Sequence, residues 1–104
     1  MIENGHELVR LDLNNPVFQR QLFNLPKIDQ RNVLNTLRKL SNMAWPQVYI
    51  DQGLKWEALL SRKGPGGSKL YSLRIGKGFR AIACREGLWM RILSLHPDHD
   101  SAYQ

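Results

Sequence analysis

Three arginines lie on consecutive apolar segments in the C-terminal half of this chain. Arg74, Arg80 and Arg91 belong to segments 70–75, 79–84 and 88–95, whose composition and length are typical of β-strands. A sheet would present these cations from a rigid surface, and a planar guanidinium can bind two phosphate oxygens at once. Because His96 directly follows the third segment and titrates near pH ~6.5, the pattern favours a site that binds a polyanion and transfers protons.

The basic residues of this half are therefore candidates for binding nucleic acid. Arg80, with Arg74 and Lys69, could hold a phosphate group during a reaction. The competing interpretation is that Arg74 and Arg80 are simply exposed cations on strand surfaces. We predict the following nucleic-acid-binding residues: Lys69, Arg74, Lys77, Arg80 and Arg91.

Cleavage of RNA without a metal ion would need groups that move protons. The 2′-OH of the substrate is the nucleophile, so the protein must accept its proton and protonate the leaving oxygen. Glu57 or a histidine could be the base, and His96 is the natural acid. Tyr103 or Tyr71 could stack on a base. Two of these residues also have a purely structural interpretation. Glu57 could form an ion pair with Lys55, and Tyr71 could belong to the core, because it alternates with Leu73 and Ile75 on one face of its strand.

The positive charge of the chain is concentrated where these residues lie. The net charge of the 104 residues is +6, and residues 53–94 hold nine Lys or Arg against two Glu. Such a field attracts phosphate backbones or an acidic protein partner. A solvated basic face kept for solubility would show the same composition.

Length and composition also argue against membrane-spanning and secreted proteins. The length predicts a single domain over residues 1–104, and no run of about 18 apolar residues is present to span a membrane. The polar start of the chain is unlike a secretory signal, and the lone Cys84 lies inside a predicted strand. We therefore expect a cytoplasmic protein in a reducing compartment, with Cys84 in a packing role.

No metal or cofactor is predicted. His96 and His99 are three residues apart, with Asp98 and Asp100 nearby, but Pro97 prevents a helix that would place both rings on one face. No second His/Cys pair accompanies them, and Cys84 lacks the context of a nucleophile.

The elements that would position these residues form an α+β domain. An N-terminal strand is predicted at 8–13, a helix follows the Asn15-Pro16 start signal, and a second helix runs from Pro26 to about Trp45. We interpret 46–57 as an irregular link, 56–60 as a short strand or a helical turn, and 62–68 as a loop. The two helices form an antiparallel hairpin on a mostly antiparallel meander at 69–96, and all three tryptophans are expected to pack inside.

The C-terminal half resembles the RelE/ParE family of bacterial toxins. Residues 70–82 are similar to its "Y-x-L-R … G-Y-R-aliphatic" motif, and His96 with Ser101-Ala102-Tyr103 is similar to its closing "H … Y" signature. Residues 53–59 resemble the "G-x-x-x-E-x-L" stretch before the first meander strand. The resemblance covers nearly the whole chain, with motifs confined to 53–103.

This resemblance implies the toxin of a type II toxin–antitoxin system, with an antitoxin protein, the ribosome and mRNA as partners. RelE-like members cleave messenger RNA in the ribosomal decoding site without a metal, whereas ParE-like members inhibit DNA gyrase. A non-catalytic binding module of the same fold is a third alternative. Pro97 and Asp98 stand where the family usually has basic residues.

Carried over residue by residue, the family's phosphate-binding arginine is Arg80 and the preceding strand arginine is Arg74. The resemblance implies that Glu57 is the general base. His96 matches the residue that ends the last strand, and Tyr103 matches the terminal tyrosine. The implied catalytic set is Glu57, Arg80, His96 and Tyr103.

Overall fold

A computed structural model describes residues 7–97 and shows one mixed sheet covered by helices. The elements are β1 (Arg10–Asp12), α1 (Pro16–Asn24), α2 (Lys27–Ser41), α3 (Trp45–Ile50), β2 (Glu57–Lys63), β3 (Lys69–Gly76), β4 (Phe79–Glu86) and β5 (Trp89–His96). The strand order is β1-β5-β4-β3-β2; β1 is parallel to β5 and the other pairs are antiparallel. The predicted α+β architecture is therefore confirmed. Within residues 7–97, no helix is both long and apolar enough to cross a membrane.

Both predicted helices are present, but α2 ends at Ser41 and not near Trp45 as predicted, because residues 43–44 pair with Leu8 and Val9 instead. The Asn15 side chain accepts hydrogen bonds from the backbone N–H groups of Val17 and Phe18, and Pro16 occupies the first turn of α1. The buried residues of α2 recur at helical spacing and pack on the sheet, whereas its charged residues face outward. These buried residues are Val33, Leu37 and Leu40.

The segment predicted as an irregular link contains a third helix, so that prediction is wrong. Residues 45–50 form α3, in which Pro46 occupies the first turn, where its missing N–H costs nothing. The Gln47 side chain accepts a hydrogen bond from the backbone N–H of Ala44 at 2.8 Å. The ambiguous segment that follows is strand β2, which begins at Glu57 and extends into the predicted loop as far as Lys63.

The sheet has two unlike faces. One face, here called the helical face, packs against the helices and supplies Leu73, Ala81, Ala83, Met90, Ile92 and Leu95 to the main core. Tyr71 lies on this face as predicted, stacked on Trp56 with ring centroids 4.6 Å apart. Trp89 is 44 % exposed, against the prediction that it packs inside. Because strand side chains alternate and its neighbour Met90 lies in the core on the helical face, Trp89 lies on the opposite face of the sheet.

Among residues 7–97, the opposite face carries no α-helix and is here called the open face. Part of it is formed by a second apolar cluster. Leu59, Leu70 and Ile82 are buried there, and Leu93 packs against them. Because β-strand side chains alternate between faces, the same face also carries Ser72, Arg80 and His96 beyond this cluster. The open face is therefore part apolar and part polar.

Candidate functional site

The polar part of the open face is built on one cross-strand row. Arg74 on β3 lies opposite Arg80 on β4, and Arg80 in turn lies opposite His96 on β5. Residues directly opposite each other on antiparallel strands project to the same side with Cβ atoms about 4.5–5.5 Å apart. The structure thus brings together three residues that the sequence separates by up to 22 positions.

Arg80 is buried rather than exposed, so its interpretation as a surface cation is wrong. The residue is only 4 % exposed. Its Nε and Nη2 atoms donate hydrogen bonds to the Ser72 Oγ at 3.2 and 2.8 Å, and Nη2 also donates to the Lys55 carbonyl oxygen at 3.0 Å. A buried charge needs such partners, and they fix the orientation of the guanidinium.

Glu57 completes the environment of Arg80. Its Oε1 lies 3.6 Å from Arg80 Nη2, and more than half of its side chain is exposed. The carboxylate thus pairs with Arg80 and not with Lys55, the partner that the sequence offered. Within residues 7–97, Arg80 Nη1 makes no hydrogen bond.

His96 closes the other end of the row. Its Nε2 lies 2.9 Å from the Ser94 Oγ, which projects from the same face of β5. Burial, and secondarily the positive charge of Arg62, lower the pKa of His96 below its ordinary value of 6.5. The imidazole is therefore mainly neutral at pH 7.

The remaining predicted binding residues lie outside this row. Arg91 is opposite Cys84, four positions along β4 from Arg80, and forms ion pairs with Asp12 and Glu86. Lys69 is exposed at the start of β3, and Lys77 is exposed in the turn between β3 and β4. Tyr103 lies outside the described residues.

Cys84 is buried, as its predicted packing role requires. Burial raises the pKa of the Cys84 thiol, which keeps it protonated and unreactive. Residues 7–97 contain no group of three His, Cys, Asp or Glu side chains placed to hold a metal ion. His99, Asp98 and Asp100 fall outside that range.

Comparisons with known proteins place this geometry on a known fold. No protein-family model and no curated protein matches the chain. A chain of the archaeal RelE–RelB complex from Pyrococcus horikoshii OT3 superposes with a TM-score of 0.62 and 24 % identity, over 88 % of this chain and 96 % of that one. This chain has a RelE-like fold. A copper-bound mutant toxin from Helicobacter pylori superposes with a TM-score of 0.51 and 17 % identity, over 90 % and 98 % of the two chains.

The RelE-like fold agrees with the resemblance found in the sequence. At these identities the likeness establishes the arrangement of helices and strands, and activity must be argued from residues.

Sequence reasoning missed the residues that hold Arg80 in the RelE-like domain. Ser72 is completely buried, and its hydroxyl accepts two of the hydrogen bonds from Arg80. A signal was present, because Ser72 and Arg74 are two residues apart on one strand and so share a face. The Lys55 carbonyl left no such signal, since any residue supplies a backbone oxygen.

Proposed function

We propose that the RelE-like domain is the toxin of a type II toxin–antitoxin pair and cleaves messenger RNA on the ribosome without a metal ion. The observation that carries the proposal is the row Arg74–Arg80–His96 on the open face, with Glu57 against Arg80. Cations, a carboxylate and an imidazole are the groups that this reaction needs.

In this proposal Arg80 binds the scissile phosphate. Its guanidinium is already held by Ser72 and by the Lys55 carbonyl, so little conformational freedom is lost when a phosphate binds. Arg80 Nη1 would donate to a phosphate oxygen, and Arg74, opposite it on β3, would add a second positive charge. Both charges would stabilise the transition state, in which the phosphate carries more negative charge.

Glu57 and His96 would then move the protons. Glu57 accepts the proton of the 2′-OH, and His96 donates a proton to the leaving 5′ oxygen. Because the lowered pKa leaves His96 mainly neutral at pH 7, its acid form becomes more populated as the pH falls. Cleavage should therefore be faster on the acidic side of neutrality. A rate that decreases there would assign His96 the role of base.

An antitoxin is the proposed protein partner. The exposed side chains of α1 and α2 include Phe23, which is 74 % exposed, together with Ile28 and Leu34. Exposed apolar groups on a basic chain fit an amphipathic, acidic segment that covers them. We propose that this segment comes from the antitoxin.

The second candidate function is a non-catalytic module, including a ParE-like gyrase inhibitor. One observation favours it: Glu57 already pairs with Arg80, so a bound phosphate would compete with a carboxylate. A module that binds protein would keep this fold without needing either side chain for chemistry.

Cell-free translation with purified ribosomes separates the two candidates. The wild-type chain should arrest synthesis and leave cut mRNA, visible as new 5′ ends in primer extension. Arg80→Lys keeps the charge but loses the planar fork, and should reduce cleavage at least about tenfold. Arg91→Lys is the matched control and should cleave normally. Intact mRNA with undisturbed translation would contradict the nuclease proposal, and inhibition of gyrase supercoiling would support the second candidate.

A further inference from the structure

Lys55 has an unusual backbone conformation. Its φ is 47°, and it is the one non-glycine residue with a positive φ among residues 7–97. The left-handed region is unfavourable for a residue with a Cβ atom, and glycine is the usual choice there. A lysine at such a position therefore suggests a use for its side chain.

The turn that contains Lys55 is held on several sides. The Asp51 side chain accepts a hydrogen bond from the Leu54 N–H at 2.8 Å, and this bond is the main cause of the lowered pKa of Asp51. The Leu54 carbonyl accepts from the Arg74 N–H at 2.6 Å, and the Lys55 carbonyl accepts from Arg80 at 3.0 Å. The turn thus fixes the position of Lys55 relative to both arginines of the proposed site.

A surface depression lies beside this turn. It has a volume of about 520 Å³, lies between α3 and the start of β2, and is lined in part by Lys55, Glu57 and Arg74. Tyr49 and Gln52, which also line it, are exposed polar side chains. The depression therefore adjoins the Glu57–Arg80 pair and is open to a ligand.

The charges of the depression do not cancel. Asp51 pairs with Lys39 at 3.2 Å, and Glu57 pairs with Arg80 at 3.6 Å. Lys55 and Arg74 have no acidic partner among residues 7–97. Two cations at the rim of a polar depression are suited to bind an anion.

We propose that this depression is a second phosphate subsite, in which Lys55 and Arg74 bind the backbone phosphate of single-stranded RNA next to the phosphate at Arg80. The inference rests on the proposed function and extends it, since it adds Lys55 as a substrate-binding residue. In this arrangement the left-handed backbone of Lys55 allows one residue to serve both phosphates, since its carbonyl accepts from Arg80 and its side chain lines the depression.

The salt dependence of RNA binding tests this subsite. Fluorescence anisotropy with a labelled 2′-O-methyl oligouridylate measures affinity without cleavage, because the substrate lacks the attacking 2′-OH. For single strands the slope of log affinity against log salt decreases in magnitude by about 0.7 for each phosphate that the protein no longer neutralises. We expect that decrease in Lys55→Ala and Lys55→Gly, and a wild-type slope in Lys55→Arg. Lys63→Ala, which removes an exposed lysine of β2, is the matched control.

Thermal unfolding separates the binding role from a defect in folding. Lys55→Gly should melt a few degrees above Lys55→Ala, because glycine adopts the left-handed backbone without strain. Both variants should nevertheless show the same decrease in slope. A stable glycine variant with weakened, less salt-dependent RNA binding would support the subsite.

Some outcomes would overturn the inference, and others would separate its failure from that of the proposed function. An unchanged slope in both Lys55 variants would show that the lysine binds no phosphate. An equal decrease in Lys63→Ala would show a general cationic surface. If wild-type chain cleaves mRNA on ribosomes while Lys55 variants bind normally, only the subsite is wrong. If Lys55 controls binding but no mRNA is cut, the subsite stands and the nuclease proposal fails.

Discussion

Arg80 and Arg91 project from the same face of the same sheet, yet their surroundings are opposite. Arg80 is 4 % exposed and donates to Ser72 and to the Lys55 carbonyl. The Arg91 side chain is 48 % exposed and pairs with two carboxylates, those of Asp12 and Glu86. The difference arises because the turn before β2 covers Arg80, whereas no such turn covers Arg91 in the part of the chain that the structure describes.

The two environments imply different functions for one residue type. A buried guanidinium with fixed hydrogen bonds is oriented before any ligand arrives, which is what a reaction site needs. An exposed pair contributes little to stability and weakens with salt. The same substitution made at Arg80 and at Arg91, or at their partners, can therefore test whether the row Arg74–Arg80–His96 is the functional part of the open face.

The largest expected effect is on the rate of mRNA cleavage when the carboxylate that pairs with Arg80 is neutralised, compared with the one that pairs with Arg91. Glu57→Gln should lower the rate of mRNA cleavage about 100-fold or more, because it removes the proposed base while keeping the shape of the side chain. Glu86→Gln, which neutralises a partner of Arg91, should leave the rate unchanged. Rates come from single-turnover primer extension. Equal rates in the two variants would remove Glu57 from the mechanism.

The next effect is on stability. Arg80→Ala should lower the free energy of unfolding by about 2–4 kcal/mol, since it leaves buried acceptors without donors. Arg91→Ala should cost less than about 1 kcal/mol, because its pairs are exposed. Urea denaturation followed by circular dichroism gives both values. Similar losses would contradict the contrast between the two environments.

Ser72 tests whether Arg80 is held in place by its neighbours. Ser72→Ala should destabilise the fold by about 1–3 kcal/mol, because two N–H groups of Arg80 lose their acceptor. Ser61→Ala, at an exposed position on β2, is the control and should change stability by about 0.5 kcal/mol or less. Urea denaturation measures both. A Ser72→Ala variant as stable as the control would show that the hydroxyl is dispensable.

The smallest expected effect is a pH dependence of the free energy of unfolding that arises from His96. Because the pKa of folded His96 is lowered, its contribution to stability is complete above the unfolded value of 6.5 and is lost as the pH falls through the folded value. His96→Gln should remove this loss, so the stability difference between the two proteins should change below pH 6.5. Urea denaturation at closely spaced pH values measures it. A difference that is independent of pH would mean that the lowered pKa has no energetic consequence.

Much of the fold is predictable because its signals are local. The Asn15-Pro16 start of α1, the helical spacing in α2 and the alternation along β3 all depend on near neighbours in sequence. The prediction omits α3 because a proline such as Pro46 is typical of a helix end, whereas here it occupies the first turn of a helix. The prediction for Trp89 is wrong because the helices cover only one face of the sheet, the face that Met90 lines, and Trp89 lies on the other face.

The site is predictable only in part. Alternation along the strands places Arg74, Arg80 and His96 on one face once their register is known, and the short turns of the meander constrain that register. The burial of Arg80 is not predictable, because it depends on a turn 25 residues earlier in the chain.

The sequence by itself determined the helix boundaries of α1, the meander, the basic character of its surface and the residue types available for chemistry. Only the tertiary structure decided which arginine is buried, which carboxylate pairs with it and where Lys55 lies. Residue types and local spacing set strand and helix preferences through short-range contacts. The environment of a side chain is set by distant segments that pack over it, here the turn that carries the Lys55 carbonyl across Arg80.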